Sequence, residues 1–277
     1  MGAPDVGKIL SRWPYSEAAV AAYSTAMTAA FSNRKARAII EKALDDYAAD
    51  RVMDARAVLS ELGSLAPDLH LHEYTLKMLP YIALLDSAWE KFRERDIPWE
   101  VYLDSFADLL WKTAECMRFH GICGSAAAFW HWRFFELKCF GLGRLQFEVS
   151  EYKGAQVLNT HIPSSGRLRH EDCVKSYRRA MGFFGLNSFV CDSWLLHPVC
   201  GGLDKTSGIR AFASDYELQF ITDDPKFLDV WNIFGAAFSG DYSDLPSNTS
   251  LQRLWKGYLM AGGVPGRGFG LYNGGEL

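Results

Sequence analysis

The sequence predicts an α+β protein in two parts, a helical N-terminal domain over residues 1–140 and an α/β domain over residues 141–277. Three observations carry that prediction. Up to Phe140 the apolar residues recur at steps of three and four, the spacing of one helix face. At Phe140-Gly141-Leu142-Gly143 glycines interrupt the helical pattern, and the period then changes to two. From Arg144 to Ser150, Leu145, Phe147 and Val149 fall on one face and Arg144, Gln146, Glu148 and Ser150 on the other, which is a half-buried strand.

Residues 1–12 read as a loose lead-in. Residues 14–31 are alanine-rich, with Val20, Tyr23, Met27 and Phe31 on one stripe, and Pro14 suits the first turn of a helix. Helices follow over 34–47 and over 54–62, the latter stopped by Gly63. Leu76, Leu79, Ile82, Leu85, Trp89 and Phe92 predict one long helix over 70–93, bent at Pro80. Asp96-Ile97-Pro98 breaks it, and further helices are expected over 99–119 and 126–140. One apolar side and one charged side on each suit a helical bundle or a layer laid on a sheet.

In the second part, a turn at Lys153-Gly154 folds residues 155–162 back on the first strand as a hairpin. Pro163-Ser164-Ser165-Gly166 ends it. Val174, Tyr177, Met181 and Phe184 predict a helix over 170–184, with Glu171 and Asp172 in its first turn. A buried strand over 188–196, a long strand over 209–221, helices over 225–234 and 251–260, and a final strand over 266–272 complete the expectation.

Composition narrows the classes. With 49% hydrophobic and 14% aromatic residues, 277 residues supply core for two domains and exclude a disordered chain. A net charge of −4 gives no reason to expect a nucleic-acid or membrane partner. The six cysteines lack Cys-x-x-Cys spacing, so neither a zinc ribbon nor a disulfide framework is indicated. No signal-like start and no apolar run of spanning length is present, and Val6 occupies the position where myristoylation after Gly2 needs Ser or Thr. The expected location is the cytoplasm.

The phrases Leu142-Gly143-Arg144-Leu145-Gln146-Phe147-Glu148, Leu158-Asn159-Thr160-His161-Ile162-Pro163 and Cys191-Asp192-Ser193-Trp194-Leu195-Leu196 resemble a bacterial group of acyltransferase-domain proteins. These have a helical N-acyltransferase N-terminal domain and a GNAT-like C-terminal domain. The resemblance implies a mixed, largely antiparallel sheet with flanking helices, acyl-CoA as co-substrate, no metal, and transfer of the acyl group to a small-molecule or peptide amine. It also implies that the CoA pyrophosphate meets the loop between a splayed central strand and the next helix, here Ser164, Ser165, Gly166, Arg167 and Leu168 with Arg169. Gly166 allows close approach, the serines donate, and the two arginines bring charge. The GNAT signature Gln/Arg-x-x-Gly-x-Gly/Ala is absent from this loop. That departure keeps open a non-catalytic GNAT-like module that binds a ligand or partner, and a helical adaptor with no small ligand.

Acyl transfer to an amine needs a base, oxyanion donors and alignment. His161 is the preferred base, since imidazole acts near neutral pH, and its alternative is a strand-end cap. Glu148 lies on the polar face where Asn159 and His161 should arrive, as a second base or as a partner for Arg144 or Arg169. Cys191 is either a nucleophile near the thioester or a small buried hydrophobe. Asp192, Ser193 and Trp194 read as a substrate-facing cluster or as loop support. No Gly-x-Ser-x-Gly surrounds Ser193. His70-Leu71-His72-Glu73 lacks metal-site helical spacing and reads as a helix start. The aromatic stretch 129–135 reads as helix core, with an acyl channel as its rival.

Overall fold

Short polar residues open the N-terminal helices. Asp5, Ser16, Asn33 and Asp54 are N-caps whose side chains accept first-turn N–H groups, each worth about 1 kcal/mol. They start α1 (Val6–Leu10), α2 (Glu17–Ser32), α3 (Arg34–Ala48) and α4 (Ala55–Ser64). The lead-in therefore holds a helical turn, and Gly63 lies inside α4 instead of ending it. The structure is a computed structural model describing residues 2–276, in two compact units that divide between Gly141 and Leu142.

The first unit departs from expectation at two places. Residues 70–93 do not form one bent helix: α5 (Ala66–Leu69) ends at His70 in the left-handed conformation, α6 (Glu73–Leu76) follows, and α7 (Leu79–Glu94) begins afresh. Pro80 sits in the first turn of α7, where its missing N–H costs nothing, so it starts a helix. After α8 (Trp99–His120), the helix expected over 126–140 is reduced to a 3-10 turn at Ala128–Trp130, α9 (Trp132–Phe135) and a short strand β1 (Cys139–Gly141). Packing overrides propensity here. Tyr47 Oη donates to Phe135 O at 3.1 Å, and Leu137 takes a φ of 55° that no α-helix continues through. Phe134 and Phe135 then join Tyr81, Phe92, Tyr102 and Phe106 in a fully buried aromatic core. Phe106 lies 4.7 Å from Phe135 and 4.9 Å from Tyr102 between ring centroids, contacts worth about 0.5–1.5 kcal/mol each beyond burial.

In the second unit β2 (Gln146–Tyr152) and β3 (Ala155–His161) form the expected hairpin. Lys153 and Gly154 have φ of 51° and 80°, the pair of positive values that a tight primed turn requires and that glycine adopts without strain. Strands β4 (Ser188–Ser193), β5 (Glu217–Asp223) and β6 (Gly266–Asn273) extend the order to β2-β3-β4-β6-β5. Only β3 and β4 run parallel; the other three pairings are antiparallel, so the sheet is mixed and largely antiparallel. One face packs on α10 (His170–Phe184), where Tyr177 stands 5.0 Å from both Phe189 and Tyr272.

The long strand expected over 209–221 is a helix followed by a strand. Ser207 caps α11 (Gly208–Ser214) through Arg210 N, and β5 starts only at Glu217. The strand expected to Leu196 ends at Ser193, whose Oγ accepts from Leu195 N at 3.2 Å and turns the chain into a 3-10 segment. The helix over 225–234 is shortened to α12 (Val230–Phe234). With α13 (Ser250–Met260), which a Thr249–Gln252 capping box starts, it encloses Trp255 in a second small core.

Candidate functional site

Hairpin register builds a polar cluster at the end of β3. Glu148 lies opposite Asn159, and Gln146 opposite His161, so period two puts all four on one face. His161 Nε2 lies 3.1 Å from Glu148 Oε1, and Asn159 Nδ2 donates to the same oxygen at 3.2 Å. A carboxylate has only lone pairs to offer, so the imidazole donates through Nε2 and carries its basic lone pair on Nδ1. Side-chain exposures of 21% for His161 and 15% for Glu148 leave the pair half-buried, with solvent access kept. Glu148 thus serves His161.

The strands part at this point. Parallel pairing of β3 with β4 runs from Leu158 opposite Phe189 to Asn159 opposite Val190 and, among the described residues, does not continue to His161 and Asp192. Two strands that separate while still extended leave facing backbone N–H and C=O groups for another partner.

Beyond His161 the loop is tightly held. Arg144 donates from Nη1 to Pro163 O at 2.9 Å and from Nη2 to Gly166 O at 3.2 Å. Ser165 Oγ is enclosed with no hydrogen-bond partner, while Ser164, Gly166, Arg167 and Arg169 are exposed. Gly208 packs on the far side of the loop: a Cβ there would fall 1.7 Å from Leu168 O, an approach that only glycine permits. Arg169 is the N-cap of the 15-residue α10, makes no side-chain cap and is exposed. Glu171 and Asp172 in that first turn place negative charge close by.

Cys191 is withdrawn from the chemistry. It is 0% exposed, it alternates with Asp192, and it shares the Phe189 face that packs on Tyr177. Burial pushes its thiol far above the ordinary range, and a neutral enclosed thiol is no nucleophile. Asp192 instead shares a face with Val190, the neighbour of Asn159; burial raises its carboxyl and Arg267 pulls it down. Ser193 proves to be loop support. Sequence reasoning missed two contributions. Arg144 braces the loop, and His170 Nε2 donates to Asp215 at 2.8 Å, closing the start of α10 onto the end of α11. Burial raises the Asp215 carboxyl, and the bond to His170 opposes that shift.

His72 Nδ1 accepts from Tyr74 N at 3.1 Å, as a helix start does. Among the described residues no group of three or more His, Cys, Asp or Glu is placed to hold a metal ion, and no helix is long and apolar enough to cross a membrane.

Comparison with known proteins follows the same division. Residues 5–137 match the model of an N-acyltransferase N-terminal domain, and residues 139–272 that of a GNAT-like C-terminal domain. An acyltransferase solved in complex with CoA and 10C-teicoplanin is 21% identical with a TM-score of 0.77, over 97% of this chain and 87% of that one. Another, in complex with decanoyl-CoA, is 20% identical with a TM-score of 0.76, over 98% and 89%. At such identity the likeness establishes the fold. No curated protein matches the sequence.

Proposed function

The chain belongs to the family that joins an N-acyltransferase N-terminal domain to a GNAT-like C-terminal domain, and from that premise we propose that it transfers an acyl group from acyl-CoA to an amine. The observation that carries the reading is the His161–Glu148 pair at the end of β3, where β3 parts from β4 and two residues before the braced loop. Acyl-CoA is the co-substrate. Its pyrophosphate meets Ser164, Ser165, Gly166 and Arg167 with Arg169 at the start of α10, and its thioester reaches the gap between the two strands. His161, oriented by Glu148, takes a proton from the acceptor ammonium through Nδ1. The amine nitrogen then bonds to the thioester carbon, the carbon–sulfur bond breaks, and the departing thiolate takes the proton that the nitrogen gives up as the amide forms. Backbone N–H groups at the strand gap are suited to the developing oxyanion. The transfer needs no redox partner and no metal.

A second reading, a GNAT-like module that binds without turnover, is favoured by the absent loop signature and by Glu171 and Asp172 beside the cradle. Isothermal titration with free CoA, acetyl-CoA and a medium-chain acyl-CoA separates the possibilities. Medium chains and glycopeptide amines come first because similar structures hold decanoyl-CoA and teicoplanin. Micromolar binding, about −8 kcal/mol, that is lost in Ser165→Asp and Arg167→Glu is the expected result. Binding without turnover of any amine favours the second reading. No heat at millimolar ligand overturns the acyltransferase reading and leaves a GNAT-like domain used for something else.

A further inference from the structure

Arg144 lies outside the residues assigned above, and its bonding is unusual for a cation. Both terminal nitrogens are spent on main-chain carbonyls of one loop, Pro163 O and Gly166 O. Its Nε is enclosed and has no partner, and among the described residues no carboxylate pairs with it. Its backbone is fixed as well: Arg144 N and Leu145 N both donate to Ser176 Oγ, at 2.8 and 3.3 Å, and that hydroxyl donates to Asp172 O in α10. The guanidinium is thus held against the loop from the residues that lead into β2, which are pinned to the helix. A half-buried guanidinium whose direct hydrogen bonds all go to neutral carbonyls, with Asp172 as a charged neighbour that does not bond to it, is only partly compensated.

We infer that Arg144 is the positioning residue of the phosphate cradle: by holding the Pro163 and Gly166 carbonyls inward it turns the intervening amides and the Ser165 hydroxyl toward a phosphate-bearing ligand, whose negative charge compensates the guanidinium. A planar fork can hold two carbonyls three residues apart, whereas an ammonium on a flexible stem cannot fix both. The enclosed, unpartnered Ser165 Oγ belongs to the same loop, between the two carbonyls that Arg144 holds. This rests on the acyl-CoA reading, and the test separates the two.

Affinity for CoA and for pantetheine, which lacks the phosphates, is measured on the full chain and on Arg144→Lys and Arg144→Gln, each checked for an intact thermal transition. Both variants are expected to weaken CoA about 10- to 100-fold, as the loss of charge-assisted hydrogen bonds implies, and to leave pantetheine within twofold. The turnover ratio of acyl-CoA to acyl-pantetheine should fall by the same factor. Exogenous guanidinium should restore part of the loss in Arg144→Gln. CoA affinity unchanged in both variants overturns the inference, as does an equal loss for CoA and pantetheine, which marks a merely structural role. Arg144→Lys matching the wild type overturns the positioning part, leaving charge alone. If the wild type binds no CoA, the functional reading falls and this inference with it.

Discussion

Each unit contains a histidine beside a carboxylate, and the two pairs differ in what surrounds them. In the second unit His161 and Glu148 are half-buried, hydrogen-bonded through Nε2, and joined by Asn159. In the first unit His131 Nδ1 and Asp108 Oδ2 stand 3.2 Å apart at 0% and 1% exposure, inside the aromatic core. His131 Nε2 and the nearby Tyr81 Oη are enclosed there without a hydrogen-bond partner. A pair that substrate cannot reach can only be structural, however similar its chemistry. Access and hydrogen-bond geometry, more than residue type, separate a candidate base from a core histidine.

The largest expected effect tests the accessible pair. His161→Ala should lower turnover by about 10²- to 10⁴-fold while moving the thermal midpoint little. A loss below tenfold in single-turnover kinetics would return His161 to the role of a strand-end cap. For the sealed pair the expectation reverses. Asp108→Ala should cost about 3–5 kcal/mol in urea unfolding, and the double replacement Asp108→Leu with His131→Phe should recover most of it. If the double variant is no more stable than the single one, the pair is a net stabiliser. Glu148→Gln keeps the shape but gives up a charge-assisted bond, which predicts about a 10- to 100-fold fall in turnover. An unchanged rate would leave His161 acting alone.

Sealed and accessible groups also separate in pH. Burial pushes the Cys116 thiol up to about 11 and those of Cys173 and Cys200 up to about 12, from an ordinary 9.0. Folded thiols therefore keep protons that the unfolded chain releases, so their stabilisation is full below pH 9 and is lost as pH rises toward 11 and 12. Urea midpoints should fall steadily through that window. The smallest effect is expected at Cys191, where Cys191→Ala should leave turnover within twofold and iodoacetamide should fail to label the folded thiol at pH 8. Labelling at a rate matching free thiol would break the claim that Cys191 is sealed.

How far the site was legible depends on range. The alternation from Arg144 to Ser150 and the Lys153-Gly154 turn fix a hairpin whose register follows from local geometry, so the meeting of Glu148, Asn159 and His161 could be read directly. The Arg144 brace spans 19 and 22 residues and the His170–Asp215 bond spans 45, distances at which no periodicity in the sequence carries a signal. The same holds for elements. The stripe over 76–92 is real, but Pro80 serves equally as a bend or as a start, and residues 209–214 suit helix or strand until Ser207 caps them.

By itself the sequence determined the two-part α+β plan, the hairpin, the helix after the loop and the polar face of β2, because each rests on contacts between near neighbours. Tertiary structure alone decided which histidine is reachable, which cysteine is sealed, where residues 126–140 lose their helix, and what holds the loop before α10. Those outcomes are set by burial and by bonds between distant segments. Desolvation acts on a group according to what is packed around it, whatever its place in the chain.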